Sequence, residues 1–135
     1  MNRDYKNYMS ELLKRVYPHH VVAVDDAPEK YGDLVQQVNL TVYAGNSDLT
    51  IYGAPEDNHR FRAWHDSLHL GHGLSFNDAH EYAVAREHAK IFETYSAFAA
   101  DMVYADVQGQ VDYLNVHGEF PTDQITFIES LVKVS

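Results

Sequence analysis

Between residues 81 and 105 the chain repeats its character every seven positions. Val84, Ile91, Phe98 and Ala105 form one series, and Glu81, His88, Tyr95 and Met102 form a second, offset by four. Two such rows make a single face of an α-helix. The chain must therefore contain a helix with a buried face, and something for that face to pack against. Glu81 and His88 stand where apolar residues belong. A carboxylate there is expensive to bury unless it is paired or bound to a metal.

A partner for this face lies just upstream. His65 and His69 are four apart, so both imidazoles project from one side of a helix. The helix is expected from near Glu56 to Leu70 and is ended by Gly71 and Gly73. Two nitrogens at this spacing can reach one tetrahedral ion, as in helical zinc sites. In the His-Glu-x-x-His arrangement of metalloproteases the acid after the first histidine activates water. Here that position holds Asp66, one methylene shorter, which makes it a candidate catalytic residue, an orienting group for a histidine or a contact to a second ion.

Further ligands should come from the facing stripe. A helical hairpin through Gly71–Ser75 would bring Glu81 and His88 opposite His65 and His69. Glu81 and His88 are seven residues apart, about 10.5 Å along an ideal helix. Glu81 is accordingly the favoured ligand. His88 is a support for a ligand, a ligand in a shifted register, or part of a second metal site. His72 is a further candidate, whereas His80 and Glu87 fall off the stripe and are expected at the surface. Trp64, Phe61 and Leu68 read as core, with Trp64 able to wall the site.

The rest of the chain frames an α+β fold, mostly helical, with a small antiparallel β-hairpin or sheet in the amino-terminal half. A first helix is expected from Arg3 to Tyr17, since Tyr5, Met9, Leu12, Leu13 and Val16 recur at helical spacing before Pro18. His19 to Val24 is β-prone, although His19 or His20 could also reach the site. Residues 34–43 and 49–52 read as the hairpin, because Val38, Leu40 and Val42 alternate with Asn39, Thr41 and Tyr43 ahead of a five-residue loop. Ser75 resembles the cap of an Ala-rich helix that runs toward Val116, with Gly109 a weak point. After a turn at His117–Pro121, Thr122 is expected to cap a final helix containing Ile125, Phe127, Ile128 and Leu131.

Length and composition set the limits. At 135 residues the chain is expected to form one domain over 1–135, and its 45% hydrophobic content argues against long disorder. It contains no cysteine, which excludes disulfides, thiolate metal sites, iron–sulfur clusters and cysteine nucleophiles. The start of the sequence, Met1-Asn2-Arg3-Asp4-Tyr5-Lys6, is polar, and no apolar run approaches the roughly 20 residues that span a bilayer. A soluble, cytoplasmic protein is expected.

The net charge of −10 disfavours nucleic-acid binding through a basic surface. Residues 1–75 carry ten acids against seven bases, and residues 76–135 ten against three. The acidic second half is either a solvated face or a surface that imitates nucleic acid or meets a basic partner. No phosphate-binding loop is present, because Gly71-His72-Gly73 lacks the lysine and strand context, and no serine nucleophile motif occurs.

The order His65-Asp66-x-x-His69, Leu74-x-Phe76, Glu81 and Ala83-Val84-Ala85 resembles small uncharacterised proteins of tailed bacteriophages that carry an HDxxH motif. Gly118-Glu119-Phe120-Pro121-x-Asp123-Gln124-x-x-Phe127 resembles their closing segment. The resemblance covers roughly residues 60–130 and implies a phage origin and the cytoplasm of a bacterial host. The His-Asp doublet is also similar to HD-domain phosphohydrolases, for which His20 or His59, His65-Asp66 and Asp101 would supply the ligand order. The histidine spacing is similar to that of zincins, which carry glutamate where Asp66 stands.

Two functional readings follow. The first is a phage-encoded protein holding Zn²⁺ or another divalent transition metal through His65, His69 and Glu81, either as a structural brace or as a metal-dependent hydrolase. Asp66 or His88 would then accept the proton. The second is a non-enzymatic acidic inhibitor of a bacterial host protein, which requires Glu87, Glu93, Asp101, Asp106 and Asp112 to form one exposed ribbon.

Overall fold

The computed structural model describes residues 3–37 and 39–133. Helix α1 (Tyr5–Val16) buries Met9, Leu12 and Leu13 on one face and carries Lys14 and Arg15 in its last turn. There their charge complements the helix dipole. Its end is tied to the next long helix by Arg60, which donates to the carbonyls of Tyr17 and His19. Its start is tied to the carboxy-terminal helix, where the buried Glu129 accepts from Arg3 and from the Tyr5 hydroxyl.

The sheet corrects the sequence expectation. Strands β1 (Val22–Val24) and β2 (Thr41–Tyr43) pair in parallel, with Val22 opposite Thr41 and Val24 opposite Tyr43. Between them lies the short helix α2 (Tyr31–Val35), anchored by buried Leu34. A crossover of this length returns the chain to the end it left, which a tight hairpin cannot do. Leu34 is thus helical, and Val38 lies outside the described residues.

The expected second arm at 49–52 is not a strand. Thr50, Ile51 and Tyr52 are buried in succession. A strand with one wet face would bury only alternate residues. The Tyr52 amide instead turns back onto the Thr50 hydroxyl, a local bond that competes with strand pairing.

Helix α3 (Pro55–His72) begins with proline in its first turn and with the Asp57 carboxylate accepting from the Ala54 amide. It runs past Gly71 and stops at Gly73, whose φ of +66° only glycine adopts cheaply. The next helix, α4 (Asp78–Glu93), is capped by Asn77 rather than Ser75, with the Asn77 side chain accepting from the His80 amide. Ser75 pairs with the His80 ring instead.

The expected long helix is broken. After α4, Thr94 bonds back to the Ile91 carbonyl and Ser96 caps α5 (Ala97–Tyr104), which packs against α4. The stripe fails at Tyr95, which is exposed, and resumes at Met102, which is fully buried. A π-helical turn (Ala105–Gly109) leads directly into α6 (Gln110–His117). Gly109, the expected weak point, closes that turn where α7 (Gln124–Val132) approaches. A Cβ there would lie 2.6 Å from the Leu131 side chain. Asp123, not Thr122, caps α7 by accepting from the Thr126 amide.

The core gathers Met9, Leu13, Ile51, Tyr52, Trp64, Phe92, Met102 and Ile128. Trp64 stacks on Phe92 and Phe61 stacks on Tyr52, so α3 lies with aromatic faces against both α4 and the 49–52 segment. Among the described residues no helix is long and apolar enough to cross a membrane.

Candidate metal centre

Helices α3 and α4 are joined by only the turn at 73–77, which sets their polar positions face to face. His65 and His69 project from successive turns of α3, and Glu81 and His88 from α4. One nitrogen of each α3 histidine and one oxygen of Glu81 all lie within 4.8 Å of one another. His65 Nε2 is 3.2 Å from His69 Nε2 and 3.4 Å from Glu81 Oε1. His69 Nε2 is in direct contact with the same oxygen.

The far side of each ring is held. His69 Nδ1 lies 2.9 Å from the Leu74 carbonyl, which can only accept. The proton therefore resides on Nδ1, and the neutral ring presents a lone pair at Nε2. His65 Nδ1 and His88 Nε2 lie 2.9 Å apart and share one proton. His88 is fully buried, its ring edge-on to Trp64, and its Nδ1 has no partner among the described residues. His88 thus stands behind His65 and outside the three-residue group.

Glu81 Oε1 is buried and faces the Nε2 atoms of both histidines. Against a neutral His69 it would be an oxygen lone pair facing a nitrogen lone pair. A cation must lie between them, either a second proton on His69 or a metal ion. Burial works against charge on both partners, but the histidines hold the Glu81 carboxyl down to about 2. Burial likewise opposes protonation of His69, yet bonding to Glu81 and its charge raise that histidine above its ordinary value. Burial drives the His88 pKa well down, so that ring stays neutral.

Asp66 lies outside the three-residue group but beside it. Burial raises its pKa to about 6 while the charges of His65 and His69 pull the other way. The other sequence candidates are dispersed. His19, His20 and His72 are exposed, His59 bonds the Ala44 carbonyl, and His80 is held by Ser75. Asp101 is exposed and is not part of the group that His65, His69 and Glu81 form. Of the five acids in the expected ribbon, Glu93, Asp101 and Asp112 are exposed and Glu87 is half-buried. Asp106 is half-buried too, and its carboxylate is bonded within the fold.

Asp106, expected only as part of an exposed acidic ribbon, lines the pocket beside the three-residue group instead. Its Oδ2 accepts from the Tyr52 hydroxyl at 2.8 Å and its Oδ1 from the Gln110 amide at 2.8 Å. Burial raises its pKa to about 6, against the effect of those two donors and of His65. It sits on the π-helical turn, a distortion that often marks functional positions. Asp106, His65 and Glu81 line one pocket of about 390 Å³. Arg62 closes its rim by donating to the carbonyls of Tyr43, Gly45 and Asn46. No periodicity marks Asp106, and the one available signal was an acid directly after a stripe position.

Compared with family models, curated proteins and solved structures, the chain finds no match.

Proposed function

We propose that the chain binds a divalent transition metal, zinc first, through His65 Nε2, His69 Nε2 and Glu81 Oε1, and acts as a metal-dependent hydrolase. The supporting observation is the convergence of those three atoms. Zinc–nitrogen and zinc–oxygen distances near 2.0–2.2 Å make the edge of a ligand tetrahedron about 3.3 Å. The separations of 3.2 and 3.4 Å from His65 Nε2 match that edge. The closer His69–Glu81 contact would open as an ion entered between them.

Both rings are oriented for this task before any ion arrives. The Leu74 carbonyl fixes the tautomer of His69, and His88 meets the rear of His65. Three protein ligands leave a fourth position, as in catalytic zinc sites. His69 is fully buried while His65 and Glu81 line the pocket, so that position faces the pocket. A bound ion would supply Lewis acidity toward water or a carbonyl oxygen there. Asp66 adds negative charge beside the two histidines and favours cation binding over an empty site.

The test is calorimetric titration of metal-free protein with zinc, alongside His65→Ala/His69→Ala. One zinc per chain, lost in the double variant, is expected. Zinc uptake that is sub-stoichiometric, or the same in both proteins, would sink the reading.

A further inference from the structure

The pocket beside the three-residue group has its own chemistry. Its Asp106 carboxylate is half-buried and built in, with one oxygen taken by Tyr52 and the other by Gln110. Each carboxylate oxygen offers two lone-pair directions, so each keeps one acceptor site. An ionised carboxylate donates nothing. Any ligand group that meets it must therefore bring an N–H or O–H.

The remaining surfaces narrow the ligand further. Phe61, Val107, Val111 and Phe120 give the pocket apolar walls. The one guanidinium on its rim is consumed, because Arg62 donates to three backbone carbonyls of the 43–46 loop. With Arg62 occupied and Asp106 itself acidic, an anionic group has no partner at the Asp106 end of the pocket. Its volume of about 390 Å³ lies within the range of small-molecule sites.

We infer that this pocket holds a neutral small molecule of the amide class: its carbonyl faces His65 and Glu81, its N–H is received by Asp106, and its apolar body rests on Phe61 and Phe120. The inference rests on the metal reading above, since the carbonyl needs a cation at that end. Asp106 is then a residue that touches the ligand and selects for a donor. The π-helical turn matters because it displaces the helix by one residue and re-aims the side chain beside it.

Benzohydroxamate is the probe, as it combines metal-binding oxygens, an N–H and a phenyl ring. N-methylbenzohydroxamate, which lacks the N–H, is its control. Zinc alone is titrated first on the same sample, so that failure of the metal site is seen separately. Failure to bind zinc overturns both readings. With zinc loaded, wild type should bind benzohydroxamate at least about 10-fold more tightly than the control, the effect of one hydrogen bond to a charged group.

Asp106→Asn should erase that preference while retaining zinc. Val111→Trp, at a half-buried position, should retain zinc and lose both probes. Equal binding of the two probes by zinc-loaded wild type, or no binding of either, overturns the inference and leaves the metal reading standing. That wild-type comparison decides the matter even where Asp106→Asn fails to fold.

Discussion

His88 Nε2 lies 2.9 Å from His65 Nδ1, on the side of that ring turned away from Glu81. A fully buried, neutral histidine thereby fixes the direction in which an adjacent, half-buried one presents its second nitrogen. The arrangement explains why a polar residue occupies the apolar stripe of α4 two turns beyond Glu81.

Replacing that support should weaken metal binding without deleting a ligand. His88→Ala is expected to lower zinc affinity by about 10–100-fold, the usual effect of removing a group that orients a ligand. Competition with a fluorescent zinc chelator would measure this. An unchanged affinity in folded His88→Ala would mean that His65 needs no support.

Zinc affinity should fall on acidification, because a proton competes with the ion at His69. The His69 pKa is raised, so the folded apo protein holds this proton at pH values above the ordinary histidine value of about 6.5. Glu81→Gln removes the charge that raises it. The variant should bind zinc more weakly at pH 8, and its affinity should begin to fall at a lower pH than in wild type. Titrations at half-unit steps between pH 5 and 8 would reveal parallel curves if Glu81 has no such influence.

Asp106 should make the metal-free fold more stable in acid than at neutral pH. Its folded pKa, about 6, lies above its ordinary value of 3.8. A raised pKa means that the folded state holds the proton more tightly. The resulting stabilisation is complete below the ordinary value and is lost as pH rises through about 6. The full effect is on the order of 3 kcal/mol. Asp106→Asn should therefore show a smaller difference in Tm between pH 4.5 and 7.5 than wild type. Asp66 titrates in the same window in both proteins, so it cancels from the comparison.

Phe92 links the site to the core, because it stacks on Trp64, whose indole meets the His88 ring. It is fully buried. Phe92→Ala should cost about 3–5 kcal/mol in urea unfolding, from lost burial and the cavity left behind. A loss below about 1 kcal/mol would mean that the neighbouring rings collapse into the space.

The site was legible to the extent that it is periodic. His65 and His69 share a face because they are four apart on one helix, and Glu81 and His88 were conspicuous as polar breaks in an apolar stripe. Where the expectation extended the stripe past Tyr95, it missed Thr94 and Ser96, whose side chains serve the backbone and interrupt the helix. The sheet was misread for a similar reason. Alternation in 38–43 indicated an extended segment but carried no information about its partner, which is nineteen residues upstream and parallel.

Sequence by itself determined the helical faces, the chemistry available on them and the absence of thiols. Those properties depend on residue identity and on spacing along a single element. Only the tertiary structure decided which polar groups meet. The turn at 73–77 sets Glu81 against His69 and His88 behind His65, and the fold of 49–52 brings Tyr52 to Asp106 across 54 positions of sequence. Contacts of that range depend on how elements pack, and packing answers to the summed burial of many side chains rather than to any local pattern.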